Sequence, residues 1–404
     1  MAGASSQSLN PNPTVSGAIT SAVGLNPQVN QIYPIVNSIY KQMTGQEGIQ
    51  AVDTASLVAM GTQIILQGKV DLWLNTLAQR IGYTIDGYRV YRNHFSRLYR
   101  TQMEWGGIVQ KLTAEMPEAV FDMTYDVGQM DGQSVDQWII ANPKVHQRFF
   151  DKETPYSFFI TTQTALLKEA FLNAGAMASL INQIFGKVEN KIELVLEDLA
   201  RIAVVNFVLN LKPSQEYHLV TMYNNTNPPA TVTMADCRHN ADFLHYVTGV
   251  INNASRKMES MSVLYNSDGF ERFTPKADQH LYMLADFMTI LETVSSYAAY
   301  HDNYVMISPE VQLPYWQAVK SGSTNPTDFT SITTISGTVD GAVVTKTNLI
   351  GLLFDHDAIG TFRQEEDVLT TPVNARARYY NTFWHEKQLW FNDMSENGVA
   401  FYLD

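Results

Sequence analysis

One uninterrupted stretch constrains this chain more than any other: KVENKIELVLEDLARIAVVNFVLNLKP, Lys187 to Pro213. Val188, Ile192, Val195, Leu196, Leu199, Ile202 and Ala203 recur at helical spacing and define one apolar stripe. Glu193, Glu197 and Arg201 fall on the other side, with Glu197 four residues before Arg201, a favourable order for a helical pair. Glu189 and Glu193 stand near the positive end of the helix dipole. Pro213 cannot continue the helix. The expected helix, Lys187 to Leu211, would be about 37 Å long at about 1.5 Å per residue. Few globular domains need one so long, and it would serve well as a strut.

The segments around this helix are of several kinds. Residues 1 to about 30 are rich in Ser, Asn, Gln, Gly and Pro and poor in charge, the composition of a mobile terminal arm. From Asp53 to Arg80 helical spacing returns, broken by Gly61 and Gly68, with Val70, Trp73, Leu74, Leu77 and Ile81 on one face. GYTIDGYRVYR reads as extended. Residues 94–150 mix strand-like runs with polar turns and hold no long helical period, as a functional projection or an insertion would. TTQTALLKEAFLNAGAMASLINQIFG reads as a helix punctuated by Gly175 and Gly186.

Residues 214–345 alternate helix and strand, which predicts a compact α+β block. ADFLHYVTGVINNASRKMES and ILETVSSYAAY read as helices. HLYMLADFM reads as a strand, and FTSITTISGTVDG as a strand followed by a glycine turn. NLIGLLFDHD reads as a buried strand, and the tail as aromatic strands ending in Val399-Ala400-Phe401-Tyr402-Leu403.

Composition narrows the function. The net charge is −13, which disfavours general nucleic-acid binding, because phosphate contacts need Lys and Arg. The one cysteine, Cys237, excludes an intrachain disulfide and a Cys-rich zinc site. No run of residues is apolar enough to cross a bilayer. The first residues lack a basic start followed by an apolar block. The expectation is a soluble intracellular product.

Motifs for chemistry are weak. GTQIILQGKV has six residues between its glycines where a P-loop has four, and Val70 where a Ser or Thr must reach Mg²⁺. Cys237-Arg238-His239 lacks a second ligand cluster. After His385-Glu386, Leu389 stands where a zincin has its second His. The strongest candidate is GLLFDHDAIGTFR, an apolar run leading into Asp355-His356-Asp357. An Asp-x-Asp at a strand end is the shape of a phosphotransferase nucleophile loop. Enzymes of the haloacid dehalogenase type carry that pair near the chain start, followed by a Thr; here it lies near the other end, followed by Ala358-Ile359-Gly360. The competing reading is that Asp355 or Asp357 caps a turn or short helix. No cofactor or metal site is expected.

The order of segments resembles the major capsid protein of tailed bacteriophages, the Hong Kong 97-type capsid fold. LAQRIGYTIDGYRVYRN, EWGGIVQKLTAEMPEA, NPKVHQRFFDKETPYSFFITTQTALLKEAF, NLIGLLFDHDAIGTFRQEEDV and RARYYNTFWHEKQLWFNDMSENGVAFYL are similar in order and character to head proteins of small podoviruses of the Salasmaviridae type. The similarity covers roughly residues 70–404 and implies an α+β fold in six parts. These are an N-terminal arm and helix (1–70), entry to the peripheral domain (71–91) and an extended loop (92–152). The peripheral domain (153–218) with its spine helix (187–211), an axial domain (219–345) and peripheral return strands (346–404) follow. Asp355 and Asp357 then end a structural strand.

The resemblance further implies a non-enzymatic protein that forms pentamers and hexamers in an icosahedral or elongated shell. Scaffolding and portal proteins would be partners, with packaged double-stranded DNA inside and no membrane. The protein would reside in the virion, and in the host cytoplasm during assembly. Trp105, Gly106, Gly107 and Trp138 are the expected inter-subunit contacts, Trp being favoured at interface anchors. The alternatives are an encapsulin-like compartment of the same fold, and a phosphotransferase using Asp355 and Asp357.

Overall fold

The computed structural model describes residues 29–44, 50–84, 91, 93–100, 108–117, 144–172, 186–229, 231–298, 309–317 and 329–404, with residues 119, 132, 138, 140, 142, 175 and 177. In chain order the helices are α1 (Val29–Thr44), α2 (Thr54–Leu66), α3 (Val70–Thr84), α4 (Thr164–Ala170), α5 (Gly186–Leu209), α6 (Leu219–Thr226), α7 (Ala241–Met258), α8 (Ala285–Ala298) and α9 (Phe329–Thr333). The strands are β1 (Val109–Ala114), β2 (Val145–Phe150), β3 (Glu153–Gln163), β4 (Glu216–His218), β5 (Gln279–Leu284), β6 (Val311–Leu313), β7 (Ile335–Val339), β8 (Ala342–Lys346), β9 (Leu349–Asp355), β10 (Ile359–Thr370), β11 (Tyr379–Asn392) and β12 (Gly398–Tyr402). The chain divides into two compact units. No helix among the described residues is long and apolar enough to cross a membrane.

The first unit comprises Met1–Asn93, Pro155–Glu197 and Glu365–Lys387. Asp53 starts α2 with a reciprocal cap: its carboxylate accepts from Ser56 N at 2.8 Å, and Ser56 Oγ accepts from Asp53 N at 3.0 Å. Val36, Ile39, Leu57, Met60, Ile64, Trp73, Leu74, Leu77 and Leu167 are buried here. Gly68, at φ 67°, ends α2 and lets α3 begin. Gly61 does not break its helix, contrary to expectation. It is a notch filled by Phe171, whose ring lies 2.5 Å from where a Cβ would sit.

The second unit comprises His94–Thr154, Asp198–Gln364 and Gln388–Asp404. Its centre is a five-stranded sheet of order β4-β12-β9-β5-β6. β9 pairs antiparallel with both β12 and β5, and the two edges are parallel. Every residue of β9 is buried, as the apolar run before Asp355 predicts. Phe207 of α5 packs against Phe354 of β9, ring centroids 6.4 Å apart. Each such fully buried large side chain contributes about 1.5–3 kcal/mol. β7 and β8 form a hairpin in this unit, whereas the three-stranded sheet β10-β11-β3 draws most of its residues from the first.

Several expectations need correction. The strand expected for HLYMLADFM ends at Leu284, and Ala285 opens α8, because Asp286 suits a helix's first turn. In FTSITTISGTVDG the first five residues are α9, and only Ile335–Val339 is strand. The long helix runs Gly186–Leu209 rather than Lys187–Leu211, and its two sides are covered unevenly. Glu197 and Arg201 are buried, whereas Ile202 of the apolar stripe is 55% exposed. Tyr91 Oη donates to Glu197. Arg201 donates to the Tyr315 carbonyl and lies 4.3 Å from the Tyr315 ring centroid. Elsewhere Thr161–Gln163 belong to β3, and α4 starts only at Thr164. Gly82–Thr84, expected to be extended, close α3.

Candidate functional site: the root of the long loop

β1 and β2 form an antiparallel hairpin, with Lys111 opposite Arg148 and Leu112 opposite Gln147. Side chains alternate between two faces. One face carries Gln110, Leu112 and Ala114 with Val145, Gln147 and Phe149. On it Leu112 is 62% exposed, and Val145 and Phe149 are each 58% exposed. The other face carries Lys111, Thr113, His146 and Arg148.

Lys111 directly opposite Arg148 is a like-charge pair, which weakens a hairpin. Asp393, past the end of β11, resolves it. Its Oδ2 lies 2.7 Å from Lys111 Nζ and its Oδ1 3.0 Å from Arg148 Nη1. Glu396 adds a second carboxylate 2.6 Å from Lys111, and Arg272 lies 3.4 Å from Glu396. Arg272 also donates to Thr113 Oγ at 2.8 Å, and Arg148 pairs with Asp268. Burial pushes the Asp393 carboxyl up, but Lys111 and the Ser395 hydrogen bonds outweigh it and hold the group below its ordinary range. For Glu396 burial wins, and its carboxyl is pushed up despite Lys111 and Arg272. At the rim, hydrogen bonds from His146 and Lys144 lower Glu115. The hairpin is thus ionically fastened on one face and apolar on the other.

The Asp-His-Asp turn lies beside this root. Asp355 is buried, and both its oxygens are engaged: Oδ2 accepts from Thr274 Oγ at 2.6 Å and Oδ1 from Asp357 N at 2.7 Å. Asp357 is exposed, with Arg100 3.2 Å away. Asp355 therefore shapes the turn that closes β9, the capping role weighed against the nucleophile role. Cys237 is buried in a turn before α7, 3.2 Å from the Met234 carbonyl.

Trp105, Gly106 and Gly107 lie outside the described residues. Trp138 is described and is 81% exposed. Sequence reasoning missed Lys111, Arg148, Asp268, Arg272, Asp393 and Glu396. The only sequence signal was a basic residue on each of two strand-like runs, with no spacing linking them to acids far along the chain.

The fold is that of phage head structures. A chain in the structure of the head fiber and inner core protein gp22 of native bacteriophage P68 aligns at TM-score 0.50 and 11% identity, covering 78% of this chain and 86% of that one. The capsid structure of Staphylococcus phage Andhra aligns at TM-score 0.49 and 12% identity, covering 78% of this chain and 85% of that one. No curated protein matches. The model of the Phi29-like phage major capsid protein matches residues 36–402, and the chain belongs to that family. Its fold is the expected α+β Hong Kong 97-type capsid fold. It is a shell-forming structural protein of a virion.

Proposed function

We propose that copies of this chain associate as pentamers and hexamers in a closed head around double-stranded DNA, assembled with scaffolding and portal proteins in the host cytoplasm. The observation that carries the subunit geometry is the two-faced hairpin. Its polar face is tied to its own subunit through Asp393 and Glu396. Its other face leaves Leu112, Val145 and Phe149 to be covered by a neighbour. Trp105, Gly106, Gly107 and Trp138 belong to the same excursion and would extend that contact. In this reading 219–345 is the axial domain, 92–152 the extended loop, and 153–218 with 346–404 the peripheral domain. Catalysis has no part in it, since Asp355 holds a turn. The charge of −13 limits adhesion to packaged DNA. The family match favours a viral head over an encapsulin-like compartment.

The test is to express the chain alone and with its genomic neighbours, and to image the products by negative-stain electron microscopy. Closed shells, or rings of five and six subunits, are expected. A monomer that never assembles, even with candidate scaffolding proteins, would overturn the proposal.

A further inference from the structure

Beside the turn at the end of β9, four side chains form a directed chain of hydrogen bonds. Arg100 donates to His356 Nε2, because a guanidinium can only donate. His356 Nε2 must then hold a lone pair, which places that ring's proton on Nδ1. His356 Nδ1 is 2.8 Å from His280 Nε2 and donates to it. His280 in turn carries its proton on Nδ1 and donates to Glu310. One tautomer of each ring satisfies every contact, and in it both histidines are neutral.

An added proton has no acceptor in this arrangement. On His356 Nε2 it meets the N–H of Arg100; on His280 Nε2 it meets the N–H of His356. The charged groups facing the pair come from every neighbouring element. Arg97 and Arg100 come from the segment entering the loop, with Arg97 2.9 Å from Glu310. Glu310 precedes β6; Asp355 and Asp357 belong to the turn; Tyr282 follows His280 along β5; Asp278 accepts from His356 N through its carbonyl. Glu396 interacts electrostatically with Asp355. Burial, then Arg100 and His280, lower the His356 pKa below 6.5, more than Asp357 and Asp355 raise it.

Arg100 is also where the long loop is rooted. Its amide donates to the Thr361 carbonyl at 2.9 Å, Tyr99 bridges to Thr361, and its guanidinium donates to the His356 carbonyl. We propose that His356, oriented by His280, is an acid-released latch that holds Arg100, and with it the root of the long loop, against the turn ending β9. Protonation of His356 ejects its ring from Arg100 and loosens that root. The sign follows from linkage. A base whose folded pKa is lowered adds stability above its unfolded value, 6.5 for His356, and that stability is lost as pH falls through the folded value. The latch is internal to one subunit, so it holds in free and assembled protein alike.

The test is amide hydrogen exchange of residues 94–100 in the full-length protein, corrected for intrinsic rates, between about pH 7.5 and about pH 4.5. Protection of the Arg100 amide should fall at least tenfold in the native protein. It should stay level in His356→Gln, which keeps an acceptor for Arg100 but cannot titrate. A level profile in the native protein, or an undiminished fall in His356→Gln, overturns the latch. Should that variant not fold, ¹⁵N spectra of histidine-labelled native protein decide. A neutral His356 with its proton on Nδ1 at the upper pH supports the latch, and a protonated ring there refutes it.

Discussion

Asp393 is fully buried, yet its carboxyl is held below the ordinary range, while Glu396 close by is held above it. The two therefore contribute to stability in opposite senses. Asp393, with a folded pKa below 3.8, adds stability that is present above that value and lost as pH falls through the folded one. Glu396, with a folded pKa above 4.5, costs stability at neutral pH and returns it as pH falls through the raised value. Neutralising them should differ accordingly. Asp393→Asn removes the one carboxylate shared by Lys111 and Arg148, leaving Glu396 on Lys111 and Asp268 on Arg148, and should cost roughly 3 kcal/mol, the low end for breaking a buried pair. Glu396→Gln keeps an acceptor and removes a disfavoured charge, and should cost about 1 kcal/mol or less. Urea unfolding of both variants at neutral pH checks this, and equal losses would mean that Asp393 is not the keystone.

Elements were legible where local pattern governs. The buried strand before Asp355, the α5 helix and the α7 helix all follow from periodicity and capping. The candidate site was not legible, because Lys111 and Arg148 meet Asp393, and Arg148 meets Asp268, only through tertiary folding. The same limit explains Glu197 and Arg201: helical spacing shows which residues share a face, but not whether that face is covered. Gly61 was misread for a related reason. A glycine within a helical pattern signals a weak point, whereas here it admits Phe171. Helix propensity favours Gly61→Ala by about 1 kcal/mol. Overpacking against the Phe171 ring opposes it by about 1–3 kcal/mol. The prediction is a net loss of stability, seen as a lower urea midpoint; a gain would show that Phe171 moves aside freely.

For the whole molecule, the proposed shell contact would separate folding from assembly between the two hairpin faces. Substitutions on the ion-paired face act within one subunit and appear as lost stability. Substitutions on the apolar face meet solvent in the isolated chain, because Leu112 and Phe149 are mostly exposed there. The double variant Leu112→Ser, Phe149→Ser should thus unfold within about 0.5 kcal/mol of the native protein. In a shell those side chains would be buried, each forfeiting about 1.5–3 kcal/mol per contact when removed. A closed shell repeats every interface over its whole surface, so a modest loss at one contact is multiplied across the assembly. The yield of sedimenting shells should fall at least tenfold while the free subunit remains folded by circular dichroism. Normal shells from the double variant would place the inter-subunit contact elsewhere in the 92–152 excursion. A subunit that no longer folds would instead mean that this face is packed within its own chain.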